Sequence, residues 1–227
     1  MFSTIIERFK TVAKEENALI KILIGGLLLY IPILGHAVVF GFLMDLLQNV
    51  KDKKTVLMPK WQNIEKQFMD GIPLALLSFG LSIVLMGCSF ILGFVPCLGF
   101  VVNLLLSIAF GLILPALIVI CAFRLRETSK WQTALEPGAL IENLRKDFRD
   151  YLPILVPYFI FSFVSVIIGC CGILAPFPLF YTMVVFFPML AEIYVKSHEE
   201  APVPEDQTPP APADTTPPTP PPAAPQA

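Results

Sequence analysis

Residues 72–123 read IPLALLSFGLSIVLMGCSFILGFVPCLGFVVNLLLSIAFGLILPALIVICAF, 52 positions without one Asp, Glu, Lys, Arg or His. A helix needs about 20 predominantly apolar residues to cross a hydrocarbon core. The stretch therefore has room for two crossings, joined by a turn near Gly93-Phe94-Val95-Pro96. The protein is accordingly expected to be integral to a membrane. Its composition agrees: 56% hydrophobic and 15% charged, where soluble domains average about 45–50% and about 25%.

Two more apolar blocks flank this one. Residues 152–195 hold a single carboxylate, Glu192, and fit a second hairpin turning near Ala175-Pro176-Phe177-Pro178. Residues 19–47 carry only Lys21, His36 and Asp45 as ionisable groups. This block is comfortable for one tilted span and short for two, so its topology must come from the charges around it.

Short cytoplasmic segments accumulate Lys and Arg. Arg8, Lys10, Lys14 and Lys21 precede or edge the first block; Lys51, Lys53, Lys54, Lys60 and Lys66 separate it from the second; Arg124, Arg126, Lys130, Arg145, Lys146 and Arg149 separate the second from the third. Neither Pro-centred turn has any. Each block should leave and return on the same, cytoplasmic side, with both termini there. The first block then requires a break at Ile31-Pro32, giving a short or re-entrant hairpin. The expected fold class is an all-α polytopic helical membrane protein of three hairpins, with five or six membrane segments.

Internal similarity supports three units, about 1–50, 60–126 and 138–196. A shift of 80 lays Phe68-Met69-Asp70-Gly71-Ile72-Pro73 on Phe148-Arg149-Asp150-Tyr151-Leu152-Pro153 and Pro96 on Pro176; a shift of 64 lays Pro32-Ile33-Leu34-Gly35 on Pro96-Cys97-Leu98-Gly99. Pro32, Pro96 and Pro176 are the expected helix breaks. Parallel repeats of this kind occur in some transporters, and chance matching of apolar sequence is the rival explanation.

Each unit has an amphipathic lead-in: Phe2, Ile5, Ile6, Phe9, Val12 and Ala13; Trp61, Ile64, Phe68 and Ile72; Leu140, Ile141, Leu144, Phe148 and Tyr151. Such helices lie in the headgroup plane or pack across the cytoplasmic face. Trp61 and Trp131 are placed to anchor at the interface. A docking groove for a protein or lipid is the functional alternative.

From residue 197 onward the chain changes material. Eleven of the 22 prolines fall between Pro202 and Pro225, and Glu199, Glu200, Glu205, Asp206 and Asp214 are accompanied by no Lys or Arg after Lys196. This Pro/Ala/Thr-rich acidic tail, 197–227, is expected to be disordered and extended. Its PxxP spacings lack flanking cations, which favours a spacer over a recognition motif.

The run from Ile24-Gly25-Gly26-Leu27 through Ile31-Pro32-Ile33-Leu34-Gly35, then Gly41-Phe42-Leu43, Asn49, Pro59-Lys60-Trp61 and Phe68-Met69-Asp70-Gly71, resembles the prokaryotic membrane family called domain of unknown function 4013. The likeness is sharpest over 22–72. It implies fold class and membrane residence, with no activity or binding residue attached.

Candidate chemistry is sparse. Intramembrane ionisable groups default to functional hypotheses, and His36 is the one deep titratable candidate, with a packing role as the plainer reading. Asn103 is expected to hydrogen-bond between helices. Lys21 is expected to snorkel, and Glu192 to pair with Lys196 at i+4. Asp70 and Asp150 are expected to face water at helix starts. Cys88, Cys97, Cys121, Cys170 and Cys171 match no metal or redox motif; a disulfide between the second and third units is conceivable, and packing is the simpler role. No phosphate loop or nucleophilic set occurs. The sequence thus predicts no enzyme, cofactor, metal or nucleic-acid partner. It leaves a membrane scaffold or accessory protein, with a protein partner at the amphipathic helices or tail, and a small transporter or channel as the alternative.

Overall fold

The computed structural model describes residues 2–54, 58–92, 94, 98–128, 130–168 and 174–199. Among them are eight helices and no strand: α1 Phe2–Lys14, α2 Ala18–Leu28, α3 Leu34–Lys51, α4 Ile64–Leu92, α5 Leu98–Thr128, α6 Trp131–Ala134, α7 Pro137–Ile168 and α8 Pro176–Glu199. The tail beyond Glu199 lies outside the described residues.

Helices α4, α5, α7 and α8 are long and apolar enough to cross a membrane. At 29, 31, 32 and 24 residues they measure about 36–48 Å at 1.5 Å per residue, against a core of about 30 Å. The first apolar block splits as expected at Ile31-Pro32. Helix α2, with 11 residues, reaches only about 16 Å and cannot cross alone, so the opening hairpin is the short one.

The break is built from unusual backbone. Ile33 sits at φ 64 and ψ −65, and the Leu34 N–H donates to the Pro32 carbonyl at 2.7 Å in a tight three-residue turn. A β-branched residue at positive φ is strained. Gly35 follows because a side chain there would overlap the Leu28 carbonyl.

Proline behaves differently elsewhere. Pro176 is the first residue of α8, where its missing N–H costs nothing; the 175–178 stretch thus starts a helix rather than forming the turn. Pro73, Pro115, Pro153, Pro157 and Pro188 all lie inside helices. Pro96 lies outside the described residues.

Packing is concentrated toward one end. Helix α3 is surrounded by α2, α4, α5 and α8, and Phe42, Leu43, Leu46 and Leu47 are shut off from solvent. Phe123 of α5 and Phe180, Phe186 and Phe187 of α8 complete the same core. By contrast, no residue of α4 from 76 to 92 and none of α5 from 100 to 114 is buried. Met86, Phe90 and Phe100 are each 70% or more exposed there. Apolar side chains gain nothing from water and lose nothing in lipid, so these half-helices are the bilayer-facing part of the molecule.

The interior is held by close backbone approach. Two glycines of α2 seat aromatic rings of α8: side chains at Gly25 and Gly26 would collide with Phe180 and Phe177. Where hydrocarbon surrounds the helices, such van der Waals contact replaces the hydrophobic drive.

Candidate functional site

The chemistry-bearing groups gather at the Lys/Arg-rich end. Asp45 of α3 takes a hydrogen bond from the Arg126 guanidinium of α5 at 2.6 Å, with both side chains about one quarter exposed. Gln67 of α4, 2% exposed, donates toward the other Asp45 oxygen and the Lys60 carbonyl, each at 3.4 Å. One carboxylate thereby ties three helices. The Gln67 side-chain carbonyl is buried without a partner.

Lys21 corrects its expected role. It does not snorkel to solvent: it is 9% exposed, donates to the Met58 carbonyl at 3.0 Å and faces the Glu15 carboxylate at 3.9 Å. Glu15 in turn accepts from the Met58 N–H at 3.1 Å. The Trp61 indole N–H donates to the Lys21 carbonyl at 3.2 Å, and its ring stacks on Phe42 with centroids 4.2 Å apart. Trp61 is thus packed into the bundle. The Trp131 side chain lies outside what the structure describes.

Glu192 also departs from expectation. Its carboxylate pairs with Arg8 of α1, not with Lys196, because α1 lies against α8 with Phe9 packed on Tyr181 and Phe186. The Tyr181 hydroxyl donates to the Phe9 carbonyl at 2.8 Å. No local rule links residues so far apart in sequence.

Asn103 behaves as expected: its side-chain oxygen accepts from the Ser89 hydroxyl at 2.6 Å, joining α4 to α5. His36 Nδ1 is buried without a hydrogen bond. No hydrogen bond joins His36 to Asn103, and neither lines the clefts described below. Cys88 is exposed and Cys121 buried, both as free thiols; the other three cysteines lie outside the described residues.

Asp70 and Asp150 lie within helices rather than at their starts, and each lines a cleft. The first, about 620 Å³, is formed by Met44, Gln48, Met69, Asp70, Pro73, Leu125 and Arg126. The second, about 370 Å³, is formed by Asp150, Pro153, Ile193, Lys196 and Ser197. An apolar groove of about 610 Å³ starts at Ile72 and Pro73 and continues along α4 past Gly80, closed on one side by Leu135. Beyond the end of α3, the Gln48 amide and then the Lys54 ammonium hold the Asp52 carboxyl below its ordinary value.

Long apolar helices, a buried aromatic and aliphatic core and an edge of paired charges define a polytopic α-helical integral membrane protein. The chain belongs to the family of proteins of unknown function designated DUF4013, which it matches over residues 24–176. No curated protein and no solved structure matches it.

Proposed function

We propose that this protein is a non-enzymatic membrane scaffold or accessory protein, with its Lys/Arg-rich face and both chain ends in the cytoplasm. One observation carries the reading. Where a transport path would run between the three hairpins, α3, the second half of α5 and α8 interlock through Phe42, Phe123, Phe180, Phe186 and Phe187, each 2% exposed or less. Of the two polar groups a path would use, Asn103 is taken up by the Ser89 hydroxyl, and neither it nor His36 lines the clefts described above.

The amphipathic lead-ins fit a supporting role. Ile5 and Val12 of α1 and Leu140 and Tyr151 of α7 are buried, while Ile6, Ile64 and Ile141 remain 51–63% exposed on the outer faces. Those outer faces, with the tail, are the surfaces offered to a protein partner. The recurrence of an Asp-x-x-Pro cleft on α4 and α7 supports the reading of repeated units.

Cysteine scanning on a cysteine-free background tests this directly. Thiol reagents applied in water should fail to reach cysteines placed at Ala37, Phe42, Ile120 and Phe187. A continuous line of labelled positions through α3, α5 and α8, reachable from both sides, would overturn the scaffold reading in favour of transport.

A further inference from the structure

The cleft at Asp70 and the groove beside it are two halves of one amphipathic shape. They share Pro73: on one side stand Asp70, Gln48 and Arg126, on the other Leu76, Gly80 and Leu135. A polar mouth that carries both signs of charge, continuing into an apolar channel on the lipid-facing half of a membrane helix, matches the shape and charge of a zwitterionic phospholipid.

The charges are available. Asp70 forms no hydrogen bond or ion pair among the described residues, and Arg126 uses one nitrogen on Asp45 out of a guanidinium with five N–H donors. Pro73 adds an acceptor, since it lacks the N–H that would bond the Met69 carbonyl four residues earlier, and Met69 lines the same cleft. A carboxylate with a freed carbonyl suits a primary ammonium, which has three N–H donors; a guanidinium suits a phosphate. In the groove, Gly80 leaves open space, since a Cβ there would meet nothing within 4 Å.

We propose that the cleft between Asp70 and Arg126, with the groove along α4, holds one ethanolamine phospholipid, its ammonium on Asp70, its phosphate on Arg126 and an acyl chain past Gly80. The headgroup half recurs. Shifted by 80, Asp70 and Pro73 become Asp150 and Pro153, which face Lys196 from α8 across the second cleft. Lys196, like Asp150, has no partner among the described residues, and the repeat therefore supplies a second, weaker site of the same chemistry.

The test is native mass spectrometry of the full-length protein, delipidated in mild detergent and titrated with phosphatidylethanolamine, phosphatidylcholine and phosphatidylglycerol of matched chains. The wild type should hold phosphatidylethanolamine most tightly. Asp70→Asn should weaken the tighter equivalent about tenfold, the scale of one charge-assisted hydrogen bond, and Asp150→Asn the weaker one. Gly80→Phe should weaken the tighter equivalent with every charge intact. Because neither carboxylate bonds to another side chain or to backbone among the described residues, both Asn variants should keep the wild-type melting temperature. Equal retention of phosphatidylcholine or phosphatidylglycerol by the wild type would overturn the proposal. So would wild-type retention by Asp70→Asn or by Gly80→Phe.

Discussion

Gly41 of α3 and Gly71 of α4 bring two helix backbones into direct contact. A side chain at Gly41 would overlap the Gln67 carbonyl, and one at Gly71 the Ala37 carbonyl. This crossing sets Gln67 within reach of Asp45, and so connects the glycine pair to the polar cluster at the end of the bundle.

Gly71→Leu should therefore be among the most damaging single changes in the chain. Overpacking costs about 1–3 kcal/mol where side chains can yield, and more is expected here because the obstacle is backbone. Gly87, with nothing within 4 Å of a built Cβ, is the control. Thermal unfolding in detergent should show a large loss for Gly71→Leu and wild-type behaviour for Gly87→Leu; equal behaviour of the two would remove the crossing from the account.

The Asp45–Arg126 pair should be worth more than an exposed ion pair, because it is mostly shielded and shared with Gln67. Asp45→Ala is expected to cost about 1–3 kcal/mol, leaving the guanidinium and Gln67 without their acceptor. In a double-mutant cycle, adding Arg126→Ala should cost less than its separate effect. Strict additivity would mean the pair is incidental.

Arg8 and Glu192 offer a weaker, exposed version of the same experiment. Arg8→Glu should loosen α1 and speed limited proteolysis near residues 14–17. Restoring the pair in reversed order, Arg8→Glu with Glu192→Arg, should recover protection. The expected energy is about 0.2–1 kcal/mol, so the proteolysis rate is the more sensitive readout.

At the tip of the first hairpin, Ile33→Gly should stabilise the protein. Positive φ at a β-branched residue costs on the order of 1–3 kcal/mol, which glycine avoids, although it adds unfolded-state entropy. A melting temperature at or above wild type is expected. A clear decrease would show that the Ile33 side chain contributes more packing than its backbone costs.

How much of this was legible beforehand follows from what each feature depends on. The apolar run 72–123 and the Pro32 break announce themselves because span length and proline chemistry are local. Asn103 was readable as a helix-to-helix hydrogen bond, since a lone amide in an apolar run needs a partner. The partners of Lys21, Asp45 and Glu192 were not readable, because each lies on an element that only the assembled bundle brings near. Local spacing pointed to Glu192 and Lys196; α1 intervenes instead. The intrahelical prolines carry no label separating them from helix-ending ones: Pro176 starts α8, while Pro73 and Pro153 lie within helices, and only the structure shows that each shares a cleft with an aspartate that has no partner among the described residues.

Topology is the claim on which the rest depends, and single-cysteine accessibility in intact membranes measures it most directly, with probes at Glu16, Gln48, Thr128 and Gln207 on a cysteine-free background. The account predicts that all four label only from the cytoplasmic side, as three hairpins returning to one face require. Labelling of Glu16 from the opposite side to the other three would make the first block an ordinary single span, and would contradict the short hairpin and the repeated units together.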